Sequence, residues 1–154
     1  MANTYSQIYI QVVFAVKGRL NLIAEKHRDE LQKFIGGIVN NRNQKMMAIY
    51  CMPNHTHILL SLNPNLALAD LVRDIKAGSS KFINEQNWVK GKFAWQEGYG
   101  AFSYSQSQVQ HVVDYILNQE EHHKSKSFKE EYTDFLTKFQ IDYKSDYLFD
   151  WVEN

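Results

Sequence analysis

A chain of 154 residues, 44% hydrophobic and 14% aromatic, carries enough apolar side chains for one sizeable core, which excludes an intrinsically disordered protein. Its 17 basic and 17 acidic residues cancel, but unevenly: residues 120–154 hold 5 basic and 9 acidic residues, and residues 1–119 hold 12 and 8, so a basic body with room for a nucleic-acid groove precedes an acidic tail. No apolar run is long enough to span a bilayer and Met1-Ala2-Asn3-Thr4 does not open a secretory signal, so a cytoplasmic protein without a membrane segment is expected.

Ile8, Ile10, Val12, Phe14 and Val16 alternate with Tyr9, Gln11, Val13 and Ala15, predicting a first strand buried on one or both faces. Leu31, Phe34, Ile35, Ile38 and Val39 have helical spacing and predict a helix that Gly36-Gly37 weaken and Asn40-Asn41 end. Residues 46–52 read as a second strand, in which the lone Cys51 is expected to be a buried, inert thiol. Pro53-Asn54 turns the chain into a third strand, 55–62, with Ile58, Leu60 and Leu62 on one face and His55, His57 and Leu59 on the other.

Leu68, Leu71, Val72, Ile75, Ser79, Phe82 and Ile83 predict a second helix after the turn residues Asn63-Pro64-Asn65. Aromatic-rich residues 93–104, interrupted by Gly98 and Gly100, predict one or two short strands around a bend. A third helix is expected from about Ser105 to Gln119 or a little beyond, with Val109, Val112, Val113, Ile116 and Leu117 as its core stripe and Gln108, His111, Tyr115, Gln119 and His122 as a second stripe. In residues 124–154, Tyr132, Phe135, Leu136 and Phe139 suggest a short helix that packs back on the body.

Strand, helix, strand, strand, helix, strand is the split βαβ order of an α+β, ferredoxin-like antiparallel sheet, also the architecture of RNA-recognition motifs. One domain over 1–154 is expected, with helices on one sheet face, the histidines on the face left available, and the third helix bearing the catalytic group. An H-x-H pair on a strand is common and usually structural, and a polar helix stripe is usually a solvated face. Together they could supply two neutral nitrogens, an amide oxygen and a phenol, a set suited to metal-assisted phosphodiester cleavage by a tyrosine nucleophile. Composition does not choose Tyr115 over Tyr99 or Tyr104.

Several segments in order carry a family resemblance. They are Pro53-Asn54-His55-Thr56-His57-Ile58-Leu59-Leu60, Leu71-Val72-Arg73-Asp74-Ile75-Lys76 with Ser79-Ser80-Lys81-Phe82-Ile83-Asn84, Trp95-Gln96-Glu97-Gly98-Tyr99-Gly100-Ala101-Phe102-Ser103, and Tyr115-Ile116-Leu117-Asn118-Gln119-Glu120-Glu121-His122-His123. The chain resembles the single-tyrosine HUH transposases of the insertion-sequence 200/605 family over nearly its whole length, with the tail Ser127-Phe128-Lys129-Glu130-Glu131-Tyr132 included.

The resemblance implies His55, His57 and Gln119 as ligands of Mg2+ or Mn2+ and Tyr115 as the nucleophile, forming a 5′-phosphotyrosine. It also implies single-stranded DNA with hairpin ends as substrate, and a homodimer whose sites are completed in trans. Thr56 departs from the bulky apolar residue usual in the family, and facing away from the metal it should have small packing consequences. Lys17, Arg19, Arg73, Lys76 and Lys81, with Lys90 and Lys92, are candidate phosphate contacts. Competing readings are a domesticated relative that cuts palindromes, a non-catalytic nucleic-acid-binding module, and a zinc site built from His55, His57 and His122 or His123.

Overall fold

The computed structural model describes residues 4–143, so the end of the acidic tail, 144–154, lies outside the described residues. Alternating side chains build β1 (Tyr9–Ala15), β2 (Lys45–Cys51), β3 (His55–Ser61) and β4 (Gly100–Tyr104). The sheet order is β2-β3-β1-β4 with every neighbouring pair antiparallel, the ferredoxin-like arrangement that the element order predicts. Register sets Val13 opposite His57 and Ala15 opposite His55, so small side chains flank the two imidazoles on the adjacent strand.

One face is covered by α1 (Arg28–Asn41) and α2 (Leu68–Gln86). Leu31, Ile35, Val39, Leu71, Val72, Ile75 and Ile83 pack there against Val12, Phe14, Ile49, Ile58 and Leu60. The apolar stripe carries α1 straight through Gly36-Gly37, since burial outweighs a propensity cost of about 1 kcal/mol per glycine. Thr56 lies on this face, paired across the sheet with Cys51 and away from the histidines, as expected. Cys51 is fully buried, and burial pushes its thiol up to about 12.

The other face is not available, which corrects the expectation of helices on one side only. Here α3 (Val109–Leu117) packs Val109, Val112 and Ile116 on Ala48 and Leu59, and α5 (Phe128–Lys138) packs Phe128, Tyr132 and Leu136 on Val13, Ala15 and Phe102. The cause is the tail itself: Phe128, Tyr132, Phe135, Leu136 and Phe139 form an apolar helix stripe that needs a surface, and this face of the sheet supplies one. Gly100 permits the approach, because a Cβ there would lie 2.7 Å from Tyr132 Oη.

The segment 93–104 forms, as expected, short strand structure around a bend: β4 plus a bridge between Val16 and Trp95, with Gly98 turning the chain at φ +87°. Elsewhere the third helix and the placement of Leu117 differ from the sequence reading. The third helix opens with a 3-10 turn capped by Ser105 and Gln108, and Asn118 (φ −103°, ψ 25°) breaks it before α4 (Gln119–His122). Leu117, assigned to the core stripe, is 53% exposed, because Ile116 already points at the sheet and the next residue is rotated about 100° away. Among the described residues no helix is long and apolar enough to cross a membrane.

Candidate active site

The strand period places His55 and His57 side by side, ring centroids 5.1 Å apart, on the face closed by α3 and α5. Both are buried, at 1% and 0% exposure. His57 Nδ1 donates to Gln11 Oε1 at 2.7 Å, and Gln11 Nε2 donates in turn to the Tyr104 hydroxyl at 2.8 Å. His55 Nδ1 donates to Asn54 Oδ1 at 2.6 Å. With each Nδ1 proton committed to an amide oxygen, both rings turn Nε2 inward, the way metal-binding histidines are oriented. Burial, reinforced by neighbouring His57, holds the His55 pKa well below the ordinary imidazole value and keeps that ring neutral.

Three Nε2 atoms converge on one carboxylate oxygen. Glu131 Oε1 is 3.0 Å from His57, 3.3 Å from His123 and 3.6 Å from His55. Gln119 Oε1 stands 3.4 Å from His55 Nε2 and 3.1 Å from His123 Nε2. The break at Asn118 makes this possible, since it starts a new turn that carries Gln119 and His123 inward together. Arg28 anchors the turn through Glu120 at 3.0 Å.

The second Glu131 oxygen, Oε2, accepts a hydrogen bond from the Tyr115 hydroxyl. Burial favours a protonated Glu131, but His57, through charge and hydrogen bonding, and His123, through hydrogen bonding, outweigh it and hold the carboxyl well below the usual range. Burial, and then the Glu131 charge, push the Tyr115 phenol well above its ordinary value, so the shared proton stays on tyrosine. His122 stacks on the Tyr115 ring at 4.4 Å, and Phe128 stacks on His55 at 4.0 Å.

The donor set fits a divalent cation. His55, His57, His123 and Glu131 offer ligand atoms all within 4.8 Å of one another, with the Gln119 amide oxygen beside them. A cavity of about 220 Å³ opens beside Tyr115, lined by Gln11, Tyr104, His111, Glu131 and Lys138 among others.

The structure therefore brings His55, His57, Tyr115 and Gln119 together within one chain. Of the suggested third histidines, His123 joins the cluster and His122 packs on the tyrosine. Tyr104 supports Gln11, and Tyr99 packs with the core on the α1/α2 side. The phosphate candidates are scattered. Arg73, Lys76 and Lys81 belong to α2, which covers the sheet face opposite the histidines. There Arg73 pairs with Asp70, and Lys76 donates to the carbonyls of Gln96 and Gly98, with burial lowering its pKa to about 8. Lys81 stands 4.0 Å from Glu85, and Lys17, Lys90 and Lys92 are exposed. Arg19 is 8% exposed, with its guanidinium over Phe128 at 5.3 Å, so it adjoins the site through the ring that backs His55.

Sequence reasoning missed Glu131, Gln11 and Asn54. A signal for Glu131 was present, because it sits between Phe128, Tyr132 and Phe135 on the apolar stripe of α5, where a carboxylate must find a buried partner. Gln11 carried none, being one polar residue on a strand.

A family model described as IS200-like transposase matches residues 4–119. The ISDra2 transposase TnpA of Deinococcus radiodurans is 24% identical over 120 residues, covering 73% of this chain and 84% of its own. Among solved structures, one from Deinococcus radiodurans described as a candidate transposase superposes with a TM-score of 0.62 at 21% identity, covering 77% of this chain and 95% of its own. A REP-associated tyrosine transposase bound to a REP hairpin superposes with a TM-score of 0.60 at 16% identity, covering 100% of this chain and 91% of its own.

Proposed function

Because the chain belongs to the IS200-like transposase family, we propose that it cleaves and rejoins single-stranded DNA with hairpin ends in the cytoplasm, using Tyr115 as nucleophile beside a cation held by His55, His57 and Gln119. The observation that carries this reading is the convergence, within one chain, of two histidines oriented through their Nδ1 atoms, an amide oxygen and a tyrosine hydroxyl next to an open cavity.

In the reaction, Tyr115 Oη bonds to phosphorus as the P–O3′ bond breaks, leaving a 5′-phosphotyrosine and a 3′ end. The phenol gives up one proton and the 3′ oxygen gains one, so the proton count is unchanged, and the ester bond is retained for rejoining. Bound Mg2+ or Mn2+ would supply positive charge that offsets Glu131, favours the phenolate and stabilises charge on the phosphate. Gln11 and Asn54 keep the imidazole Nε2 atoms on the inside, and His122 and Glu131 hold the tyrosine.

The arrangement supports a site that each chain completes for itself, in contrast to the trans assembly implied by the family resemblance. A homodimer would then pair two self-contained sites. A non-catalytic recognition module is the weaker reading: it needs exposed aromatics on the central strands, whereas the corresponding face of β1 and β3 is closed by α3 and α5.

The test is incubation with single-stranded DNA bearing hairpin ends from the sequence flanking its own gene, with Mg2+ or Mn2+, followed by a denaturing gel. A covalent protein–DNA adduct is expected, and Tyr115→Phe eliminates it. Persistence of the adduct in that variant assigns the chemistry to another tyrosine, with Tyr104 first to be tried.

A further inference from the structure

We infer that Glu131 and His123, which lie beyond the matched residues 4–119, are ligands of the same cation, making the centre an imidazole-rich site with one carboxylate rather than a wholly neutral one. This rests on the metal-assisted reading above and deepens it.

The Nδ1 atoms of His55 and His57 are both occupied by amide oxygens, so their Nε2 atoms are the ones turned inward, and they face a carboxylate oxygen at 3.6 and 3.0 Å. His123 Nε2 faces the same oxygen at 3.3 Å. Three imidazole nitrogens and one carboxylate oxygen from three separate elements converge here, and four donor atoms within 4.8 Å of one another form a cage of the size one cation fills. Glu131 is 3% exposed on an otherwise apolar helix stripe, a placement that packing alone would not favour.

Glu131 also uses its two oxygens differently. Oε1 faces the three imidazoles and Oε2 holds the Tyr115 hydroxyl, so one carboxylate ties the nucleophile to the cation. Three nitrogens and a carboxylate favour Mn2+, Co2+ or Zn2+ over Mg2+, which prefers oxygen donors.

The alternative is that Glu131 is a competitor, an internal anion occupying the cation's place. The two roles predict opposite signs. Calorimetric titration of the purified full-length chain with Mn2+ alone, without DNA, compares wild type, Glu131→Gln, Glu131→Asp, His123→Ala and His57→Ala, with thermal melts of the metal-free proteins to verify folding. A ligand role requires Glu131→Gln to weaken Mn2+ binding by about 10- to 100-fold or more, with Glu131→Asp intermediate because charge is kept and reach is lost. His123→Ala weakens it as well, and the visible absorption of bound Co2+ changes in both the Gln and Ala variants.

Unchanged or tighter Mn2+ binding by Glu131→Gln overturns the inference while leaving the metal-assisted reading intact, provided that His57→Ala abolishes binding. Wild type that binds no Mn2+, or a His57→Ala chain that binds as wild type does, overturns both. Should Glu131→Gln fail to fold, Glu131→Asp and His123→Ala decide: wild-type affinity in both overturns the inference.

Discussion

Removing the Phe128 ring tests whether the C-terminal helix is an integral wall of the site. Phe128 is 3% exposed, its ring is stacked on His55 at 4.0 Å and nearly parallel at 8°, and the Arg19 guanidinium lies 5.3 Å from its centre. Phe128→Ala in such a setting costs about 3–5 kcal/mol, from lost burial and the cavity left behind. If α5 unfolds with the rest of the domain, a protein of this size loses about 2–4 °C of Tm per kcal/mol, so the melting transition falls by about 6–20 °C. If α5 detaches first, Tm moves little and the same free energy appears as faster exchange of the α5 amides, about 10²- to 10³·⁵-fold. Calorimetry and hydrogen exchange on the same sample distinguish the two routes. A variant with wild-type Tm and wild-type α5 protection would refute the packing of α5 over the histidine face.

Three other changes bear on the site. His57→Ala lowers metal-dependent cleavage more than Gln119→Ala does, because it removes a strand-fixed donor and strands Glu131, and a single-turnover assay across Mn2+ concentrations measures both; equal, full activity without added metal contradicts the mechanism. Mixing His57→Ala chains with Tyr115→Phe chains yields no recovery of cleavage, since a site assembled within one chain always carries one defect, whereas activity at one site per dimer reports trans assembly. Gly100→Ala destabilises by about 1–3 kcal/mol because the new Cβ would lie 2.7 Å from Tyr132 Oη and 3.0 Å from the Phe102 ring. Adding Tyr132→Phe to Gly100→Ala recovers part of that loss in urea denaturation, and strict additivity would show that the hydroxyl is not the clash.

The histidine pair was legible in the sequence because strand periodicity is local: once β3 is a strand, His55 and His57 share a face whatever else the chain does. The same holds for Thr56 and Ile58 on the opposite face, and for the sheet order implied by the alternation of strands and helices. Tyr115 and Gln119 were legible through their four-residue spacing and through the family resemblance, although the helix that was to join them is broken at Asn118. Leu117 was misassigned because a stripe read from composition does not say where the helix stops turning toward its partner.

What sequence periodicity could not decide was which surface α5 would cover. The apolar stripe of α5 announces burial against something, but tertiary packing sets it on the histidine face, and this choice delivers Glu131 to three imidazoles, closes the sheet and brings Phe128 against His55. Local spacing determines the side chains an element presents, because backbone geometry repeats every two or 3.6 residues. Their meeting partners across 74 residues of chain, from His57 to Glu131, are determined by the competition of apolar surfaces for one another, which has no period to read.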